Sequence, residues 1–310
     1  MKEIEAKGSI SSIIDVVKSC DIKGEIWFRG QSHYIHDLIP SIFRKDSFYC
    51  ESRMYEEFIR RYPEHSKHHK NVFEWLTLMQ HYGLPTRLLD WTTNLLVALF
   101  FCCTEEKYKD KDGSIFVYDS DYSIHITSNN EFKEFLGILV TSPDKHIFYQ
   151  ELIKLASNKF GDETKINGAS IEKLKIDDSH FFDFINDPKI EFNSFEEILN
   201  IPDEDESLES TFERKGEFSN IYSFKAPHLN PRIRQQHGCF TFHGGKYFGK
   251  SEFIATNRLE DRKSLFKIKI KSVDKENLLK ELALSGINEA TLFPEMEYQA
   301  KQIKELFKIM

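Results

Sequence analysis

The chain has 310 residues, of which 40% are hydrophobic and 30% charged, a balance typical of a globular protein with a large core. Its formal net charge of −8 disfavours broad binding to nucleic acid, which needs many Lys and Arg to neutralise phosphates, although a local basic groove stays open. The longest apolar run is about half of the roughly 20 residues that span a membrane. Five cysteines without CxxC or metal-ligand spacing are typical of reduced thiols. We therefore expect a cytoplasmic protein without a membrane partner.

The first 62 residues predict two helices and a strand. Residues 9–20 and 51–62 have apolar side chains at helical spacing, and residues 25–30 predict a strand that ends at a glycine. Arg29 stands at the end of this strand, where its planar fork of donors suits a phosphate or a carboxylate. The structural alternative is an ion pair between Arg29 and an internal carboxylate such as Asp90.

The segment from 71 to 106 places polar groups directly beside apolar ones. Residues 71–82 predict a helix that Gly83 ends and that Pro85 prevents from continuing. An extended stretch leads to Thr92, and a helix that is apolar on all sides follows over about 94–106, capped by Thr92 or its neighbour. Polar groups held beside a core must find partners, in a structural network or in a binding site. The candidates here are Gln80, His81, Arg87, Asp90, Thr92 and Asn94.

The second half predicts further strands and helices around a region of weak pattern. Residues 120–217 show no clear periodicity, and we interpret them as a variable insertion or helical elaboration within a single domain over 1–310. Apolar and charged side chains alternate over residues 265–271, as expected of a half-exposed or edge strand. Because helices and strands do not alternate regularly, the order predicts an α+β fold with a mixed or antiparallel sheet core and flanking helices. The remaining predicted elements are strands at 113–118, 220–224 and 239–242, and helices at 274–285 and from Pro294.

Two patterns that suggest chemistry also have ordinary explanations. His65, His68 and His69 lie close together, but no carboxylate or thiol completes a ligand set, so no metal is expected. Glu295 follows Pro294 at a predicted helix start, where the helix dipole favours acidic residues in any case.

Five segments of the chain resemble the FRG domain, a bacterial family named for its aromatic-Arg-Gly motif. The resemblance covers 25–118 and 220–310, and it is poor over 120–217. The longest motif is an ungapped block. The matching segments are Trp27-Phe28-Arg29-Gly30-Gln31, residues 38–44, residues 79–92, Arg232 with Gln236-x-Gly238-x-Phe240, and residues 292–295.

A second, weaker resemblance is to mono-ADP-ribosyltransferases of the Arg–Ser–Glu type, and it implies NAD as a substrate. In that family an arginine on a strand comes first, a Ser/Thr-rich strand before an apolar helix follows, and a catalytic carboxylate comes last. The resemblance implies that Arg29 contacts phosphate, that Thr92 positions the nicotinamide ribose, and that Gln236 or Glu295 lies near the reacting carbon. The sequence departs from the pattern where Gln235-Gln236 replaces Glu-x-Glu, and glutamine cannot act as a base. The other implied ligand-binding residues are Gln31, His81, Arg87 and Asp90.

These observations leave three functional hypotheses. The leading one is an ADP-ribosyltransferase-like protein that binds NAD or a related nucleotide, as a toxin or phage-defence effector. The first alternative is a noncatalytic ligand-sensing or partner-binding module, which the missing Glu-x-Glu favours. The second alternative is a nuclease, which the histidines favour and the acidic charge and absent metal ligands disfavour.

Overall fold

The fold was analysed in a computed structural model. It describes residues 1–45, 47, 49–120, 124–125, 130–144, 147–148, 151, 217–227, 229–247, 253–254, 256–262 and 264–308. Most of the predicted insertion over 120–217 therefore lies outside the described residues.

An eight-stranded mixed sheet forms the centre of the molecule, in the order β1-β10-β4-β2-β3-β7-β6-β5. Neighbouring strands are antiparallel, except that β1 is parallel to β10 and β5 is parallel to β6. A separate antiparallel pair is formed by β8 and β9. The strands are β1 Lys2–Glu5, β2 Ile26–Gln31, β3 Leu88–Thr92, β4 Gly113–Asp119, β5 Ile124–His125, β6 Ile221–Phe224, β7 Gly238–His243, β8 Lys246–Tyr247, β9 Phe253–Ile254 and β10 Leu265–Ile270.

Helices flank this sheet, which confirms the predicted fold class. Gly83 follows the third helix with a φ of 81°, the left-handed conformation that glycine adopts at the end of a helix without steric cost. The helices are α1 Ile10–Lys18, α2 Glu51–Arg61, α3 Val72–His81, α4 Leu95–Cys103, α5 Asn130–Thr141, α6 Pro231–Gln235, α7 Lys275–Leu284, α8 Glu289–Leu292 and α9 Met296–Leu306.

Two groups of helices cover two halves of the sheet. Helices α1, α4 and α7 pack on β2, β4 and β10, whereas α2, α3 and α5 pack on β3, β6 and β7. Phe28, which contacts the first group, pairs with Thr92 of β3, and Leu88 of β3, which contacts the second group, pairs with Phe242. Thr92 and Leu88 are four residues apart, and side chains alternate along a strand. Both helical groups therefore lie on the same face of the sheet. Helix α5 belongs to the region predicted as an insertion, yet its Leu136 is fully buried in this core.

Two local predictions were wrong. The strand over 265–271 is not at the edge, because β1 pairs with it on the outside. Lys267 is consequently buried, with its ammonium 4.0 Å from the centre of the Tyr34 ring. The cap of α4 is Asn94, whose side chain accepts a hydrogen bond from the Leu96 amide, and not Thr92.

Glycine at position 30 allows β2 and α4 to touch. A Cβ atom at Gly30 would overlap the backbone carbonyl of Ala98 in α4. Gly30 therefore fixes the distance between β2 and α4, the most apolar helix.

Candidate functional site

A cavity opens where the two halves of the sheet meet. Strands β2 and β3 are joined through the single residue pair Phe28–Thr92, whereas β2 pairs with β4 along its whole length, from Ile26 to Gln31. The strands therefore diverge beyond Phe28, and a cavity of about 610 Å³ lies beside the opening. This volume is in the range of about 300–1,000 Å³ that is usual for small-molecule sites.

Most of the predicted site residues line this one cavity. Arg29 and Thr92 are far apart in the sequence, and they meet because β2 and β3 are neighbours in the sheet. Residues from the end of α3 and the turn after α6 complete the wall. The predicted residues in the wall are Arg29, Gln31, His81, Asp90, Thr92 and Gln236.

Arg29 is the central charged group of the wall. One terminal N–H donates a hydrogen bond of 2.6 Å to the backbone oxygen of Asp90, and the Asp90 carboxylate lies 3.7 Å away. The Nε–H of Arg29 is buried and finds no acceptor among the described residues. Burial lowers the pKa of the Arg29 guanidinium, and Asp90 offsets part of this effect. A buried donor without a partner is costly, so an acceptor from a ligand would stabilise this arginine.

Positive charge predominates in the cavity although the whole chain is acidic. Arg44 and Arg232 line it together with Arg29, against the carboxylates of Asp90 and Glu105. The guanidinium of Arg232 lies over the Phe293 ring at 4.3 Å from its centre. The lining residues thus carry one more positive than negative charge, while Glu295 lies 4.0 Å from Arg232 behind them, and an excess of positive charge attracts anions.

Several polar side chains of the wall are already used to hold the backbone. The Thr92 hydroxyl donates to the Gln236 carbonyl at 2.7 Å and accepts from the Asn94 amide at 3.0 Å. The Gln236 side-chain amide donates to the Leu292 carbonyl at 3.2 Å, and that of Gln31 donates to the Asp37 carbonyl at 3.4 Å. Thr92 and Gln236 therefore tie β3, α6 and α8 together at the cavity, and Gln31 holds the loop that follows β2.

Asp90 is held from the side of α3. The Gln80 amide donates to its carboxylate at 2.8 Å, and the Gln80 oxygen accepts from the Thr86 hydroxyl. The Asp90 side chain is nevertheless 58% exposed. Asp90 can therefore offer Oδ2, the oxygen that faces Arg29, to a ligand without breaking the Gln80 contact.

His81 stands at the end of α3 in the cavity wall. Burial lowers its pKa, the nearby charge of Arg232 lowers it further, and Glu295 acts in the opposite direction. The imidazole is therefore neutral at pH 7, with one nitrogen that can donate and one that can accept a hydrogen bond.

An aromatic cluster at the wall was missed by the sequence analysis. His36 and Tyr108 line the cavity, and His33 stacks on the Tyr108 ring at 5.1 Å while His36 meets it edge-on. No motif marks these loop residues. Arg44 was also missed as a site residue, although it ends the FRG-like segment 38–44, and that position was the available signal.

The structure corrects the prediction that Arg87 binds a ligand. Its side chain points away from the cavity into the core, and the residue is 1% exposed. It pairs with Glu51 at 2.6 Å and donates to three backbone carbonyls. A guanidinium with all of these partners stabilises the fold and is not available to a ligand.

Glu295 lies behind the cavity wall. It precedes α9, and one of its oxygens is 4.0 Å from the Arg232 guanidinium. Its other oxygen is buried, without a hydrogen-bond partner in the described part of the chain. Glu295 can therefore influence the cavity through Arg232 and His81, and its predicted catalytic role stays a prediction.

Within the described ranges, His, Cys, Asp and Glu form no group of three or more that could hold a metal ion. None of the described helices has the length and apolar character that crossing a bilayer requires.

Comparison with known families shows that residues 24–111 match the FRG domain. No curated protein and no solved structure matches the chain. The matched residues include β2, β3 and α4, and so carry much of the cavity wall.

Proposed function

We propose that this chain, which carries the FRG domain over residues 24–111, binds an anionic nucleotide in the cavity beside Arg29. NAD is the first ligand to test. The observation that carries the proposal is the buried Nε–H of Arg29, which lacks an acceptor among the described residues. A phosphate oxygen would satisfy this donor through a charge-assisted hydrogen bond.

The charge distribution supports a phosphate-bearing ligand. Arg44 and Arg232 are in the same wall as Arg29, so a diphosphate could meet more than one guanidinium. Hydrogen-bond groups for a ribose are also near, since Asp90 is largely exposed and His81 is neutral at pH 7. His36 and Tyr108 add aromatic surface, which suits the flat rings of a nucleotide.

The same cavity is compatible with ADP-ribosyl transfer or NAD hydrolysis. In either reaction the bond between the ribose carbon and the nicotinamide nitrogen breaks, and nicotinamide leaves with the electron pair. An acceptor hydroxyl or water then bonds to that carbon and loses its proton. A carboxylate can stabilise the developing positive charge and take the proton. Asp90 and Glu105 line the cavity, and Glu295 stands behind Arg232.

Thermal unfolding with and without NAD tests the binding proposal. A ligand that binds only the native state stabilises it by about 2.7 kcal/mol at about a hundred times its Kd, so NAD should raise Tm. Arg29→Ala should abolish the shift. Arg61→Ala is the matched control, because Arg61 is an exposed arginine paired with Glu57 on α2. The absence of a shift at millimolar NAD would exclude an NAD site.

Nicotinamide release tests the catalytic part of the proposal. Wild-type protein, Glu295→Gln and His81→Ala are compared after circular dichroism has shown that all three are folded. If Glu295 is the carboxylate that assists the reaction, Glu295→Gln should lose turnover and His81→Ala should keep it. Loss in His81→Ala alone would contradict this assignment.

A noncatalytic ligand-sensing module is the second candidate. It is favoured by Thr92 and Gln236, which use their side chains to hold the backbone of β3, α6 and α8. Under this alternative the ligand stabilises the junction of these elements and no bond is broken. NAD binding without nicotinamide release from wild-type protein would select it.

The cellular setting is part of the same proposal. The five cysteines are free thiols, which are typical of the reducing cytoplasm. A protein that binds or consumes NAD there could act as a toxin or in phage defence. Loss of NAD from cells that express wild-type protein, and not from cells that express Arg29→Ala, is the expected result.

A further inference from the structure

The last helix, α9, is attached to the protein along one side. The Tyr298 ring stacks on Phe293 at 4.6 Å, and the Gln299 amide donates to the carbonyls of Ala290 at 2.6 Å and Phe293 at 3.1 Å. Lys301 forms an ion pair with Glu289 at 2.5 Å. These contacts fix the helix and determine which of its sides faces outward.

The outward side carries a row of apolar residues. Met296 and Ile303 of α9 are 87% and 57% exposed, and Phe307, the residue that follows its last turn, is 78% exposed. Ala300 between them is exposed as well. Leu306 borders the row and is 71% exposed. Large apolar side chains that are grouped on a surface commonly mark an interaction site.

The spacing within the row is that of a coiled-coil seam. Successive members are four, three and four residues apart (296, 300, 303 and 307), which is the alternation of the a and d positions of a heptad repeat. Glu297 and Lys304 are seven residues apart and lie on one flank of the seam. Neither forms an ion pair within the described part of the chain.

An antiparallel pair of α9 helices matches both the seam and its flank. About a two-fold axis, Met296 faces the partner's Phe307, and Ala300 faces the partner's Ile303. Glu297 then lies beside the partner's Lys304, and symmetry repeats this ion pair. A parallel pair would instead bring Lys304 beside the partner's Gln299, without charge complementarity.

We propose that α9 docks against α9 of a second copy of this chain, as an antiparallel pair related by two-fold symmetry. Such an interface is isologous, because the same surface contributes from both copies. It covers the exposed row and pairs the flanking charges. It involves none of the cavity residues, so the proposal is independent of the ligand.

Sedimentation velocity over a range of protein concentrations is the first test. Because the seam is short, the wild-type protein should shift from monomer to dimer as concentration rises. Ile303→Asp should weaken the dimer at least about tenfold, because it buries a charge at the centre of the seam. Circular dichroism should show unchanged folding, since Ile303 is exposed in the monomer. A wild-type protein that stays monomeric, or a dimer unaffected by Ile303→Asp, would overturn the proposal.

Charge exchange at low salt then tests the antiparallel arrangement. Glu297→Lys alone should weaken the dimer several-fold, since the new lysine lies beside the partner's Lys304 and symmetry repeats this repulsion. Adding Lys304→Glu should restore the dimer, because the exchanged pair is again complementary. Glu305→Lys is the matched control: it makes the same charge change on the side of α9 away from the seam, and dimerisation should persist. A double variant that remains as weak as Glu297→Lys would overturn the antiparallel pair.

Discussion

Arg87 and Arg29 are both largely enclosed by protein, and they differ in how completely their donors are satisfied. Arg87 meets Glu51 through two nitrogens, donates to the carbonyls of three further residues and lies between two aromatic rings. Arg29 donates to the backbone oxygen of Asp90, has a carboxylate at 3.7 Å and keeps a buried Nε–H that meets no acceptor among the described residues. Burial of an arginine therefore does not by itself distinguish a structural role from a binding role.

The number of hydrogen-bond donors that the protein itself satisfies indicates the role of an arginine better than its burial does. A guanidinium has five N–H donors, and a fully bonded one gains nothing from a ligand. One that retains a free donor in a cavity is stabilised when an anion arrives. The two arginines thus differ: Arg87 joins elements of the core through all of its donors, whereas Arg29 lines the cavity with one buried donor that meets no acceptor among the described residues.

The largest expected effect is on the Arg87 side. Glu51→Ala should lower the free energy of unfolding by about 3–5 kcal/mol, because it leaves the buried Arg87 without its carboxylate. Urea denaturation at neutral pH measures the loss. Adding Arg87→Met should recover part of it, since the unpaired charge is then removed. A loss below about 1 kcal/mol would mean that Arg87 is no more structural than an exposed pair.

Gly30→Ala tests what holds β2, the strand that carries Arg29, in place. The new Cβ would meet the Ala98 carbonyl, so we expect a loss of about 1–3 kcal/mol from overpacking. Gly137→Ala in α5 is the control, because its Cβ would meet the Val72 side chain at 3.1 Å and alanine favours a helix. Equal stability of Gly30→Ala and wild type would show that α4 does not position β2.

The pKa of His243 responds to the positive charge of the arginines around it. Burial, and then the charges of Arg262, Arg87 and Arg29, lower its pKa from 6.5 to about 3. Between these two values the unfolded chain binds the proton and the folded protein does not. Stability is therefore present above pH 6.5 and falls as the pH decreases toward 3, by up to about 1.4 kcal/mol per pH unit.

Comparison of wild type with His243→Gln isolates the contribution of His243 to the pH dependence of stability. Urea denaturation at several values between pH 7.5 and 4.5 should give a shallower pH dependence for the variant. The slope is the relevant readout, because the substitution also affects packing at all pH values. Identical slopes would show that His243 is not the group that titrates.

The smallest expected effect on stability is at Asp90. Its side chain is 58% exposed and 3.7 Å from Arg29, so Asp90→Asn should change the free energy of unfolding by less than about 1 kcal/mol. Binding of pyrophosphate, which has no ribose, should become tighter, because Arg29 loses its competing carboxylate. Isothermal titration with NAD or pyrophosphate measures this. Weaker binding of NAD alone would instead indicate that Asp90 contacts the ligand outside its phosphates.

The sequence determined the elements that carry the site. Apolar spacing and breaking residues placed α3, β3 and α4 nearly correctly, because these signals act within a few residues. The resemblance to transferases implied that Arg29 and Thr92 contact one ligand, and both residues line one cavity in the structure.

Only the tertiary structure decided which polar residues face the cavity. Arg87 and Asp90 are in the same motif, yet one pairs with Glu51 in the core and the other lines the wall. The position of β10 was decided in the same way. Its alternating lysines predicted an edge strand, but β1, from the other end of the chain, pairs along its outer side. Local patterns report the conformation of a segment, whereas partners distant in sequence determine which side chains are satisfied, buried or left available to a ligand.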